Sequence, residues 1–258
     1  MRRRELFWGC VLIIAGLLFL LGNLFHIDVG DFLWPLFLIA LGGRILWRAL
    51  RGANVIAGET LVIPLEDADE ARIKVRYGAG QLFIHGDAGV GELLNGTFSG
   101  GLEREIHREG QRLHVVLRSP RGEWPWTPGA RDWAVGLNDA IPLSLDVEVG
   151  ASDTCLDLTG LRVTELRLRA GASSTEVRLP AHAGYTRASI KTGASSLSLR
   201  VPAGVAAHIQ TTGGLAAITV DRARFPQAEG TYRSPDFETA ENRVEIEVET
   251  GVGSVDIR

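Results

Sequence analysis

Six histidines (His26, His85, His107, His114, His182 and His208) are scattered along the chain, and none falls in an HExxH or HxH array. Zinc needs three or four ligands brought together by such spacing, so no metal site is expected. The two cysteines, Cys10 and Cys155, lie in an apolar run and in a strand-like stretch, far apart in sequence. A single distant pair implies no disulfide framework, and both read as buried thiols. Serines are plentiful, but no GxSxG elbow presents one as a nucleophile. The runs GASSTEVRLP from Gly171 and GASSLSLRVP from Gly193 superficially suggest phosphate-cradling loops. A P-loop needs a following Lys-Ser/Thr and a helix N-terminus, whereas these runs continue into alternating, strand-like sequence. Paired carboxylates of the glycosidase kind stay open, because separation in space is not written in the sequence. No catalytic residue and no cofactor is assigned, and the chain reads as a non-enzyme.

Those same runs are better read as corners. The motif Gly, small residue, Gly or Ser, then alternating apolar positions recurs as GAGQLFI from Gly78, GASDTCLDL from Gly150, and the copies at Gly171 and Gly193. A degenerate copy, TGGLAAITV, starts at Thr212 and contains Gly213, and GVGSVDIR starts at Gly251. With Gly as position zero, positions six and eight are Leu156 and Leu158, Val177 and Leu179, then Leu199 and Val201. Thr212 in the Gly slot gives Ile218 and Val220 at the same offsets. Each Gly follows a segment of period-two alternation, such as LSLDVEV (143–149) or VEIEVET (244–250), which marks a strand with one buried face. Gly78, Gly150, Gly171, Gly193, Gly213 and Gly251 are therefore structural corner glycines, needed for positive φ or close backbone approach. One such unit cannot bury a core, but a stack can. The expected fold of residues 54–258 is an all-β β-solenoid or two-sheet repeat stack, with irregular insertions at 86–142 and 221–243. The end strand Ser254–Arg258 is expected at an uncovered edge, where it could pair with another chain; homo-oligomerisation itself is not legible.

The stack is preceded by a different kind of sequence. Residues 6–25, LFWGCVLIIAGLLFLLGNLF, are free of charge and long enough to cross a hydrocarbon layer as a helix. A cleaved signal peptide is the alternative, but no small-x-small site follows the run. A second segment, 31–49, is opened by Trp34-Pro35 and carries Arg44 and Arg48 on one face, with Trp47 beside them. It reads as the return helix of a transmembrane hairpin, with a re-entrant or interfacial helix as the alternative. Arg2, Arg3, Arg4, Trp34, Arg44, Trp47 and Arg48 are the expected interface anchors. By the positive-inside bias both ends of the hairpin face the cytoplasm, giving a multi-pass membrane protein with a cytoplasmic β domain. If segment 31–49 does not span, the domain lies on the other side.

Of 27 basic and 31 acidic residues, six and three fall in residues 1–53, leaving 21 and 28 for residues 54–258, a formal −7. An acidic domain has no electrostatic footprint for phosphate backbones, so nucleic acid is excluded as a partner. Between the corner copies, EWPWTPGARDW places Trp124, Trp126 and Trp133 beside Pro125 and Pro128. This is either a patch for a partner or membrane surface, or a cap over the open end of the core. For Trp133, within DWAVGL, the core reading is the stronger.

Residues Trp133 to Pro180, with Ile141-Pro142 before a strand, Leu156-Asp157-Leu158 after a Gly corner and the copy at Gly171, resemble the LiaF-like family of bacterial cell-envelope stress-response membrane proteins. The Gly- and Leu-rich first helix and Trp34-Pro35 opening the second are similar too. The resemblance implies a toast-rack, adhesin-like β domain on a membrane anchor and a function in sensing or modulation. Its best-understood relatives restrain a two-component histidine kinase, so a membrane sensor kinase or another envelope protein is the implied partner, beside the bilayer. The alternatives are an extracytoplasmic adhesin-like or envelope-structural module and a polysaccharide-active enzyme.

Overall fold

The computed structural model describes residues 58–120, 132–228 and 230–258. The segments read as membrane helices, with their anchors, and Trp124 and Trp126 lie outside the described residues. The architecture rests on six long strands: β2 (Glu70–His85), β7 (Leu143–Asp157), β8 (Val163–Arg178), β9 (Tyr185–Arg200), β10 (Ala206–Val220) and β13 (Arg243–Ile257). They pair in parallel in the order β2-β7-β8-β9-β13-β10.

Each long strand has two arms. In β7 the buried positions are Leu143, Leu145, Val147 and Val149, then Ser152, Thr154 and Leu156. The odd-numbered face is inward before the corner and the even-numbered face after it; two successive exposed residues, Gly150 and Ala151, reset the phase. Both arms bury side chains in one core cluster, for example Val147 and Leu156, so the sheet folds over along the glycine row and packs on itself. The fold is thus the two-sheet repeat stack. Parallel strands ordinarily need a crossover of a dozen residues or more. Here the second arm ends beneath the start of the next first arm, and residues 158–162 close the gap, with Leu158 and Leu161 buried in the turn.

Residues 86–142, expected as an irregular insertion, hold four strands among the described residues. They form β3 (Glu92–Phe98), β4 (Glu103–Glu109), β5 (Arg112–Arg118) and β6 (Asp132–Leu137). β5 runs parallel to the first arm of β2 and β6 parallel to its second arm. Together they make one more rung, with β5 in the place of a first arm and β6 in that of a second. The antiparallel neighbours β4 on β5, and β3 and β1 (Glu59–Pro64) on β6, finish that end of the two sheets. The pattern was hidden because EREIHRE in β4 is exposed along its whole length and shows no alternation. Residues 221–242 are mostly turns around a short hairpin, β11 (Gln227–Ala228) and β12 (Thr231–Arg233), which pairs with β10 at His208 and Ile209. Phe225 from this segment is fully buried in the core.

The sequence order of a simple solenoid fails at both ends. β2 lies between β7 and the β5–β6 rung, although β5 and β6 follow it in the chain. β13 lies between β9 and β10, paired along both with residues 58 apart from β9. The segment Ser254–Arg258 is therefore interior to the sheet and not its uncovered edge.

Candidate functional site

Along the fold line the glycines stack. A β-carbon built on Gly171 would meet the carbonyl oxygen of Gly150 at 2.9 Å, on Gly193 that of Gly171 at 2.9 Å, and on Gly251 that of Gly193 at 2.7 Å. Gly150 presses in the same way on Gly78. These positions take glycine for close backbone approach, with the α-hydrogen filling the place of a side chain against the neighbour's carbonyl. In β10 the stacked residue is Gly214, against the Gly251 oxygen at 2.8 Å, and Gly213 instead pairs with Thr250.

Because the spine lacks side chains, it leaves a groove of about 1250 Å³ running across the rungs. Its floor is the glycine row with Tyr77, Val149, Ala170, Thr192 and Thr250, each of them buried. One wall is a row in continuous register: Arg76 beside Glu148, Glu148 beside Arg169, Arg169 beside Lys191, Lys191 beside Glu249 and Glu249 beside Thr212. Glu148 takes ion pairs from Lys74 at 3.1 Å, Arg76 at 3.0 Å and Arg169 at 2.6 Å. Lys191 meets Glu249 at 2.8 Å. The hydrogen bond and the charge of Glu249 hold the Lys191 ammonium above its usual range. Three cations against two carboxylates make this wall mildly basic on an acidic domain. At one end the groove is closed by Ser119 and Pro120, the residues from which the Trp124–Trp126 segment departs.

Trp133 does not reach the groove as a free aromatic patch. It is 1% exposed, packed edge-on to Phe98 with ring centres 5.0 Å apart and tilted against Tyr77 at 5.1 Å. Among the described residues no group of three or more His, Cys, Asp or Glu is placed to hold a metal ion. Cys155 is a free thiol pushed above its usual range by burial first and by Glu176 next, which keeps it protonated and unreactive. Two pairs of hydroxyls near the corners satisfy one another, Ser152 with Thr154 at 3.0 Å and Ser173 with Thr175 at 3.1 Å. The groove's wall row and its cross-rung ion pairs were missed in sequence. Their signal was the outward residue two places before each corner glycine, charged in five rungs as Arg76, Glu148, Arg169, Lys191 and Glu249. An open trough with a main-chain floor and an ionic wall can bind an extended chain.

Residues 52–200 match a family model described as the N-terminal domain of toast_rack, DUF2154. Residues 6–46 match one described as a LiaI-LiaF-like transmembrane region. Among solved structures, a protein provisionally described as a cell adhesion protein from Clostridium sporogenes ATCC 15579 superposes with a TM-score of 0.72 at 19% identity, covering 78% of this chain and 97% of that one. A provisionally described adhesin from Bacteroides fragilis NCTC 9343 gives a TM-score of 0.31 at 8% identity over 78% of this chain and 97% of its own, too slight a likeness to bear on the fold. No curated protein matches the chain significantly.

Proposed function

The chain belongs to the toast-rack family, with a LiaI-LiaF-like transmembrane region ahead of the β domain, and from that premise we propose that it regulates or scaffolds an envelope-stress signalling assembly by direct protein contact. It is a membrane-anchored module, and the reading assigns its β domain to the cytoplasmic side of a helical hairpin spanning 6–25 and 31–49. The observation that carries the contact role is the groove along the glycine spine. A floor of main chain and a mildly basic wall of mixed charge suit an extended, weakly acidic segment of a partner better than a compact small molecule. A membrane sensor kinase, held in the same plane by its own spans, is the partner class this reading favours. Trp124 and Trp126, which follow Pro120 in the sequence, are the proposed aromatic contacts.

The test places a photo-activatable cross-linker at Ala151, in the groove, in living cells with and without an envelope stressor. Cross-linking to a membrane kinase, lost on Arg169→Glu/Lys191→Glu, would support the reading. An unchanged stress response in cells carrying the charge-reversed protein, with no cross-link in the wild type, would reject it.

A second reading takes its support from the provisional description of the Clostridium structure: an adhesin-like module displayed outside the cell. It shares the fold and requires the opposite topology, so the position of the β domain decides between them.

A further inference from the structure

The two ends of the stack differ in chemistry. At one end the outermost strands are β4, charged at every position except Ile106 and His107, and β1, which finishes in Pro64. Charge and proline on an outer strand are the usual guards against pairing with another chain. At the other end β10 is the last long strand, followed only by the short β12 and β11, and from Gln210 to Val220 (QTTGGLAAITV) it carries no charged residue. β12 covers it only at His208 and Ile209, so residues 210–220 are paired with β13 alone among the described residues.

The core is open at the same place. Leu197 and Val255, each 1% exposed, lead in register to Ile218, which is only partly buried. On the outward side, the row following the glycines runs Ala172, Ala194, Val252 and Leu215, its apolar bulk growing toward the edge. Leu215, at 84% exposed, projects from the last rung beside Val252 at 53%. Unpaired main chain, an unfinished core row and an exposed apolar side chain thus coincide on one uncharged strand.

We propose that this edge docks a second copy of the same chain, the 215–220 segment of β10 pairing antiparallel with its counterpart about a two-fold axis. Unpaired strand main chain calls for another strand. A copy of β10 brings no like charge opposite its own, which matters on a domain whose formal charge over residues 54–258 is −7. Any two-fold register that keeps the inward faces on one side sets Ile218 against Ala216, Ile218 or Val220 of the other copy, all apolar, so the core row is continued in each case. The guarded β4 and β1 end denies head-to-tail growth, which leaves a closed pair and not a filament. Membrane anchoring confines both copies to a plane and raises their effective concentration.

The experiment uses the full chain in detergent and in nanodiscs. Mass photometry across a dilution series is expected to show a dimer–monomer equilibrium. Leu215→Lys/Ala217→Lys, both at exposed outward positions, should move its midpoint by about tenfold or more toward monomer, with unchanged circular dichroism. Ile106→Lys on the guarded edge should leave it in place. In a Cys10→Ser/Cys155→Ser background, Ala217→Cys should be joined to its counterpart by a short bis-maleimide in native membranes. A dimer that survives both lysines overturns the proposal and assigns association to another surface. A wild type that is monomeric throughout and does not cross-link also overturns it, and leaves the edge to an extended segment of a different protein.

Discussion

Gly171 stands against Gly150 so closely that a β-carbon on the first would lie 2.9 Å from the carbonyl oxygen of the second. The obstacle is main chain, so no rotamer change relieves it. Gly171→Val and Gly193→Val should each lower stability by about 1–3 kcal/mol in urea denaturation. Gly78→Ala is the internal control, since nothing lies within 4 Å of the added carbon; it should be near neutral. Equal midpoints for all three variants would remove the stacked spine as the reason for these glycines.

Trp133 and the pair Trp124 and Trp126 should separate cleanly. Trp133→Ala empties a site closed by Tyr77 and Phe98 and should cost about 3–5 kcal/mol. Trp124→Ala/Trp126→Ala should leave the melting curve in place while weakening partner cross-linking. A collapse of the domain in the double variant would instead make those two residues part of the core's closure.

A link between the inserted strand and its neighbour sets a pH window. Tyr185 on β9 donates a 2.5 Å hydrogen bond to Glu245 on β13, and Arg187 adds a 3.2 Å ion pair. The Tyr185 bond, partly opposed by burial and reinforced by Arg187, holds the Glu245 carboxyl below its usual range. A depressed carboxyl stabilises the fold above its unfolded value, about 4.3, and that contribution is lost as pH falls through the folded value. The same bond raises Tyr185. A raised phenol stabilises below its unfolded value, about 10, and loses that contribution as pH rises through the folded value. Urea midpoints should therefore hold level between about pH 5 and 9 and fall on both sides. Glu245→Gln should flatten the acid limb; an acid limb identical to wild type would show that other carboxylates set it.

Terminal deletions should not behave alike. Removing residues 243–258 strips β9 and β10 of a shared partner at once and should abolish cooperative unfolding. Removing β1, which pairs with β3 alone, should lower the midpoint and keep the transition. In a repeat array with consecutive rungs both deletions would merely fray an end, and that result would contradict the inserted order.

Membrane sidedness is measured by impermeant thiol labelling in a cysteine-free background. With the hairpin in place, Val29→Cys should react in intact cells and Glu241→Cys only after lysis. Reaction of Glu241→Cys in intact cells would transfer the protein to the adhesin-like reading.

The inward faces were legible in the sequence because they depend on local pattern. Alternation names which residues of LSLDVEV are buried, and the recurring glycine marks where the phase resets. Neighbour order was not legible, since alternation says which face a strand buries and nothing about which strand lies beside it. VEIEVET would fit any slot in the stack; it occupies the one between β9 and β10. The same blindness displaced the β10 corner. Placing Thr212 in the glycine slot, and not Gly214, is a slip of two residues, which leaves every side chain on its proper face and so goes unnoticed by hydrophobic pattern. The register partners Leu215–Val252 and Val220–Ile257 fix it. The groove was illegible for another reason: the charges two places before each corner glycine share a spacing, but which of them pair, as Arg76 does with Glu148, follows only from the neighbour order.

The placement of β13 also dictates a timetable. β10 leaves the ribosome before β13 does, yet its long parallel partner is β13, so during synthesis β10 has no rung to join. The nascent chain must hold an uncharged, apolar strand in waiting, and then thread the final rung into a gap bounded by β9 on one side and β10 on the other. Completion of this part of the sheet therefore waits for Arg243–Ile257, and a chain that stalls before them presents two sticky strands to its surroundings.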